Sequence, residues 1–107
     1  MSMEKQGKQF IYVLKPVDRL LNVENWTEVD EQIISRHFSY LKDLKQEGKL
    51  ILAGKTVGLN EKTFGIVIFK AESLEEASKM MHQDPSVNEA IMNAEVFEYR
   101  VAITKDL

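Results

Sequence analysis

Residues 27–57 read TEVDEQIISRHFSYLKDLKQEGKLILAGKTV, and they join a helix to a strand with almost no loop between them. Thr27 is a good N-cap, and Glu28 and Asp30 place negative charge in the first turn, where the helix dipole favours it. Val29, Ile33, His37, Tyr40, Leu41 and Leu44 recur at three- and four-residue spacing and form one stripe, which Ile34 and Phe38 widen. Gly48 is the expected left-handed cap. The helix spans about 20 residues, or roughly 30 Å. Lys49–Val57 follows the cap directly and predicts a strand.

Upstream, Lys8–Lys15 (KQFIYVLK) is aromatic and β-branched, with five apolar residues in a row, so it predicts a strand buried on both faces. Pro16 ends it by removing a donor. Residues 17–26 form a long loop anchored by Leu20, Leu21 and Trp26, a length that hints at a binding or covering role. Downstream, Gly58–Lys62 is a polar turn, and Thr63–Lys70 (TFGIVIFK) predicts a third strand in a hairpin with the second. Ser73-Leu-Glu-Glu76 is a capping box that opens a short helix with Leu74, Ala77 and Met81 buried and Met80 beside them. Asp84-Pro85 restarts a turn of helix, with Asp as cap and Pro at the first helical position. In Ala94–Ile103 the apolar Phe97, Tyr99, Val101 and Ile103 alternate with Glu98 and Arg100, as in a strand with one wet face. The tail Thr104–Leu107 is expected to be loose.

The order β-α-β-β-α-β folds most simply, with right-handed crossovers, as an α+β ferredoxin-like sandwich. Both helices then lie on one side of the sheet. Strands one and three are apolar on both faces, so the open face calls for a partner sheet, and a homodimer through sheet faces is expected.

Composition narrows the function classes. The 107 residues suit one domain, 1–107, with an ordered core about 8–103. Apolar residues make up 44% and charged residues 29%, an ordinary globular balance. The net charge of −3 lacks the basic surplus of a nucleic-acid binder. With no cysteine, disulfides, thiol nucleophiles and thiolate metal sites are excluded. The polar N-terminus lacks the apolar region of a secretory signal, and no apolar run approaches the ~20 residues of a membrane span. The expected location is cytoplasmic. Gly54-Lys55-Thr56 resembles the end of a phosphate-binding loop, but that motif needs glycine where Lys49 stands and a helix where a hairpin follows. His37 and His82 stand far apart, with no metal-ligand spacing, so no metal is expected.

His37 carries two readings. On the apolar stripe between Ile33 and Leu41 it is either a core histidine satisfied by a hydrogen bond, or a general acid or base aimed into a cavity between helix and sheet. The second role needs an orienting carboxylate. Asp84 is a candidate, although it also serves as an ordinary N-cap. Tyr40 and Trp26 are the candidate substrate-binding side chains, shaping the wall of that pocket. Arg36 and Lys42 fall on the solvated face, and His82 near an exposed helix end.

His37-Phe-Ser-Tyr-Leu-Lys-Asp-Leu-Lys-Gln-Glu-Gly-Lys-Leu-Ile-Leu-Ala-Gly54 resembles the helix-to-strand segment of the YciI-like (YCII-related) proteins, H-x-x-Y/W-L-x-x-L-x-x-x-G-x-L-x-x-A-G. Ser73-Leu-Glu-Glu-Ala77 and Asp84-Pro85 followed by Val87 resemble the second signature of that family. The resemblance runs from about Phe10 to Val101. It implies a dimeric α/β barrel and an active-site pair of histidine and aspartate, here His37 and Asp84. Some relatives act as lyases that remove hydrogen chloride from aromatic degradation intermediates. This chain departs from the family pattern at Lys55, where proline is common, and at Ser86, where an aromatic is common. It departs also at Ile34, where arginine is common, with Arg36 nearby.

Three functions compete. The first is a cofactor-free enzyme in which His37 and Asp84 move a proton on a small molecule, in a lyase or isomerase step. The second is a non-catalytic dimeric module that binds a small ligand or a protein. The third is a cofactor-independent monooxygenase.

Overall fold

The computed structural model describes residues 8–105. Residues 1–7 and 106–107, which hold the polar N-terminus and the end of the tail, lie outside the described residues. The elements run β1 (Lys8–Pro16), α1 (Glu28–Gln46), β2 (Leu50–Lys55), β3 (Gly65–Ala71), α2 (Leu74–Gln83), α3 (Pro85–Asn88) and β4 (Met92–Tyr99). The sheet is antiparallel in the order β2-β3-β1-β4, the ferredoxin-like arrangement that the element order called for. The loop before α1 is not irregular throughout: Asp18–Leu21 and Val23–Asn25 are short 3-10 turns.

Alternation along the strands decides what faces the helices. Phe10, Tyr12 and Leu14 of β1 and Val67, Phe69 and Ala71 of β3 point to one side and form the core with Leu41, Leu44, Ala77, Met80 and Met81. The rings of Tyr12 and Phe69 meet edge to face with centroids 5.5 Å apart. Each such ring stabilises the fold by about 1.5–3 kcal/mol through burial. The opposite register places Ile11, Val13, Ile66 and Ile68 on the other face, where no helix lies among the described residues. Leu52, Phe97 and Tyr99, paired with that register, extend it and are substantially exposed.

β4 corrects the reading of its sequence. Its helix-facing residues are Met92, Ala94 and Val96, which pack on the core. Phe97 and Tyr99 face away from the helices, and the strand ends at Tyr99, so Val101 and Ile103 lie beyond it. The alternation was real, but the larger side chains belong to the uncovered face.

α1 begins and ends as its sequence dictates, with a Thr27 capping box and Gly48 at φ 78°. Its first turn differs from expectation. Val29 is exposed, and Asp30 is buried in its place. Arg19 donates two hydrogen bonds to the Asp30 carboxylate, at 2.7 and 2.8 Å, and Thr27 adds two more. Arg19's hydrogen bond is the main cause that holds the Asp30 carboxyl well below the usual carboxylate range. The pair ties the loop to the helix. Leu20, Ile33 and Ile91 form a small second core beneath it, with Trp26 and Ile34 packed alongside. Leu74 of α2, expected on a buried stripe, is exposed.

Candidate active site

His37 sits mid-way along α1 and Asp84 caps the N-terminus of α3, and the packing of these helices brings them together. His37 Nδ1 lies 2.8 Å from Asp84 Oδ1 and 2.9 Å from Oδ2. The two roles open to Asp84 coexist: the same carboxylate caps α3, accepting from the Ser86 backbone N–H at 2.9 Å, and meets the imidazole. Asp84 is fully buried and His37 nearly so.

Two further donors complete the carboxylate's shell. Tyr12, from the centre of β1, donates its hydroxyl to Asp84 Oδ2 at 2.7 Å. Ser86 donates its hydroxyl to Oδ1 at 2.9 Å. Sequence reasoning missed both. Tyr12 reads as one more strand aromatic, and the signal available for Ser86 was its place two residues after a capping aspartate. The Ser86 side chain thus adds a second contact to the carboxylate that its own backbone N–H already meets.

Burial alone would raise the Asp84 carboxyl. The His37 hydrogen bond and charge, the Tyr12 hydroxyl and the Ser86 N–H outweigh it and hold the group below its ordinary value. Burial, then the charge and hydrogen bond of Asp84, push the Tyr12 hydroxyl up. Tyr12 therefore stays a protonated donor and Asp84 an ionised acceptor. An ionised carboxylate only accepts, so His37 carries its proton on Nδ1 when neutral. Its Nε2 is then a free lone pair.

That lone pair has somewhere to act. Among the described residues Nε2 has no hydrogen-bond partner, and no fully buried side-chain nitrogen or oxygen there lacks one, so Nε2 is not sealed in. The ring forms part of the wall of a cavity of about 380 Å³ between α1, the β2–β3 hairpin and Trp26. The walls are mainly apolar, with Leu14, Ile34, Phe38, Leu41, Leu50, Phe64 and Val67 prominent. Gly65 also lines the cavity, in register with Leu14 on one side and Lys55 on the other, and a Cβ there would stand only 3.3 Å from the Gly54 carbonyl oxygen.

Of the two residues expected to shape the pocket, Trp26 does line it, fixed by its indole N–H donating to the Leu20 carbonyl at 3.0 Å. Tyr40 does not. It turns toward α2, where its hydroxyl donates to the Met80 carbonyl at 2.6 Å, and burial with the Asp84 charge pushes it up to about 12. A step of three residues from His37 rotates a side chain far enough around α1 to face the neighbouring helix. His82 is exposed, as expected, with Nδ1 2.8 Å from the Ser78 carbonyl oxygen. Among the described residues no group of three or more His, Cys, Asp or Glu is placed to hold a metal ion.

The YCII-related domain matches residues 10–100 as a family, which includes every residue of this constellation. The chain belongs to the YCII-related family. Its solved structural neighbours include 5-chloro-2-hydroxyhydroquinone dehydrochlorinase (TftG) from Burkholderia phenoliruptrix AC1100, in complex with 2,5-dihydroxybenzoquinone. The two share 22% identity over 86% of this chain and 93% of that one, with a TM-score of 0.66. This likeness establishes the fold that the YCII-related chain adopts. No curated protein is a significant match.

Proposed function

We propose that this YCII-related protein is a cofactor-free enzyme that moves a proton on a small organic molecule, in a lyase or isomerase step. His37 Nε2 is the base that takes the proton and the acid that returns it. Asp84 fixes the tautomer and stabilises the imidazolium formed in between. The observation that carries the reading is a histidine with one nitrogen held by a buried, multiply bonded carboxylate and the other left at a mostly apolar cavity. Such a base contributes about 10²–10⁴-fold to a rate. Trp26 helps shape the binding wall. TftG is a dehydrochlorinase, and loss of hydrogen chloride is a lyase step of the kind proposed here.

In this reading the chain works as one domain in the cytosol, as a homodimer packed sheet to sheet. The uncovered apolar face of β1 and β3 supports that assembly, and no helix among the described residues is long and apolar enough to cross a membrane.

Two assays test the chemistry. One follows chloride release from chlorinated hydroxyhydroquinones. The other follows deuterium uptake from heavy water into a panel of enolisable small molecules. We expect wild-type turnover on members of these panels and a loss of at least 100-fold in His37→Gln. Equal rates in the two proteins, or no turnover on either panel, would overturn the proposal.

A further inference from the structure

The charge on the cavity wall runs against the charge of the molecule. The chain carries 17 acidic and 14 basic residues. Yet among the described residues no carboxylate lines the cavity, and three lysines do: Lys42, Lys45 and Lys55. Lys42 was expected on the solvated face, and it is exposed, but at the cavity mouth.

The lysines are not equivalent. Lys55 donates to the carbonyls of Thr56 and Gly58, at 2.7 and 3.3 Å, so its ammonium is engaged in holding the hairpin turn. Lys42 and Lys45 form no ion pair among the described residues. Their acidic neighbours on α1, Asp43 and Glu47, are not part of the lining, and Glu47 is paired with Lys49. Phe38, Lys42 and Lys45 follow one another at four- and three-residue steps, so they share one face of the helix. The side chains of Lys42 and Lys45 therefore line the same cavity as His37. Measured along the axis, Lys42 and Lys45 lie about 7.5 and 12 Å from His37. A molecule whose carbon skeleton fills the apolar part reaches both ends, with its reacting carbon at Nε2 and a charged group at the mouth.

Resting on the functional reading above, we propose that the substrate class is an organic anion. Its apolar body packs against Leu14, Phe38 and Trp26, and its carboxylate or phenolate is met by Lys42 and Lys45. At the mouth, where water is near, a unit charge pair at about 4 Å is worth about 1 kcal/mol, so each lysine contributes roughly fivefold to affinity at low salt.

Binding, not turnover, provides the test. Benzoate and its uncharged analogue benzamide are titrated into the full-length protein at low ionic strength, and the resonances of the His37 ring and the Ala53 amide are followed by NMR. We expect benzoate to bind more tightly than benzamide. Lys42→Gln with Lys45→Gln together weaken benzoate binding by about 10-fold or more and leave benzamide unchanged. Lys42→Arg with Lys45→Arg retains the benzoate preference. Equal affinity for the two compounds, or benzoate binding unaffected by the glutamine pair, overturns the anion proposal while leaving the cavity as a binding site. If neither compound moves the His37 or Ala53 resonances, the cavity is no site for such molecules, and the functional reading falls with the anion proposal.

Discussion

Tyr12 and Asp84 stand 72 residues apart in the chain, and between them runs a 2.7 Å hydrogen bond with no access to water at either residue. The bond links the core of the sheet to the candidate catalytic pair. Tyr12 packs its ring on Phe69 and offers its hydroxyl to the carboxylate that holds His37. Rigidity of the core thus becomes rigidity of the site.

Replacing Tyr12 by Phe preserves the ring and removes one donor to a buried anion. The cost to folding is about 1–3 kcal/mol, since hydrogen bonds to charged groups lie in that range. Acid sensitivity moves with it. In the fold the Asp84 carboxyl lies below its ordinary value of 3.8, so its ionised form stabilises the protein fully above that value. The contribution is lost as pH falls through the depressed folded value. With one lowering bond gone, the depression is smaller, so the loss on acidification is smaller and is complete at a higher pH. Denaturant melts of wild type and Tyr12→Phe between pH 2 and pH 7 check both statements; coincident pH profiles contradict the second.

Asp84→Asn keeps the shape of the side chain but exchanges an acceptor-only group for one that also donates. An asparagine cannot accept from His37, Tyr12 and Ser86 as the ionised carboxylate does. The neutral imidazole is then no longer held with its proton on Nδ1. Nitrogen-15 spectra of the His37 ring should show the Nδ1–H form in wild type and a mixture of tautomers in the variant. Any turnover established for the wild type should fall by about 100-fold or more, because the lone pair at the cavity is present only in part. A single unchanged tautomer in both proteins removes the orienting role of Asp84.

How far this site could be read from the sequence differs residue by residue. The α1 cap, the Gly48 stop and the hairpin follow local rules that any chain obeys, and they came out as read. The His37–Asp84 contact was legible because each residue belonged to a family signature. Tyr12 was not, since nothing in a strand aromatic announces a carboxylate 72 residues away, whereas Ser86 stood two residues after its partner and only its hydroxyl contact went unread. Asp30 escaped for a similar reason. A first-turn aspartate is ordinarily a solvated capping charge, and only Arg19 from the loop makes its burial tolerable. Tyr40 and β4 show the opposite limit. Spacing assigned them to a stripe or an alternating face, but which neighbour that face meets is a tertiary fact.

The Arg19–Asp30 pair has a readout of its own, because Trp26 is the protein's one tryptophan, lines the cavity, and stands between Asn25 and Thr27, which the pair contacts. Arg19→Ala leaves the Asp30 carboxylate with its Thr27 donors alone. The loop at residues 17–26 should loosen, lowering the melting temperature and shifting Trp26 fluorescence to the red. The same shift should appear in wild type at low pH. Asp30 has a lowered folded value, so its stabilisation is present above the ordinary carboxylate range and is lost in strong acid. Unaltered emission in Arg19→Ala shows that the loop is held by Leu20 and Ile91 packing instead.

The sheet face provides the last prediction. Ile11 pairs across the sheet with both Ile68 and Phe97, and Val13 pairs with Ile66, which makes a continuous apolar surface on the side without helices. Phe97 and Tyr99 are 44% and 43% exposed there, and Leu52 is 39% exposed at the far strand. Apolar patches of more than a few hundred Å² are rare on free monomers, and obligate dimers bury about 2,000 Å² or more. Packing a second copy on this face, sheet against sheet, satisfies both statements. Light scattering at micromolar concentration should therefore give twice the mass of the 12.3 kDa chain. A charge at the centre of the patch has no partner in such an interface, and Ile11→Asp should shift the mass to that of one chain while far-ultraviolet circular dichroism keeps the α+β signature. Phe97→Lys, nearer the edge and on a strand already half-exposed, should weaken the dimer with less effect on folding. A wild-type protein that scatters as a single chain at that concentration excludes the sheet-to-sheet assembly.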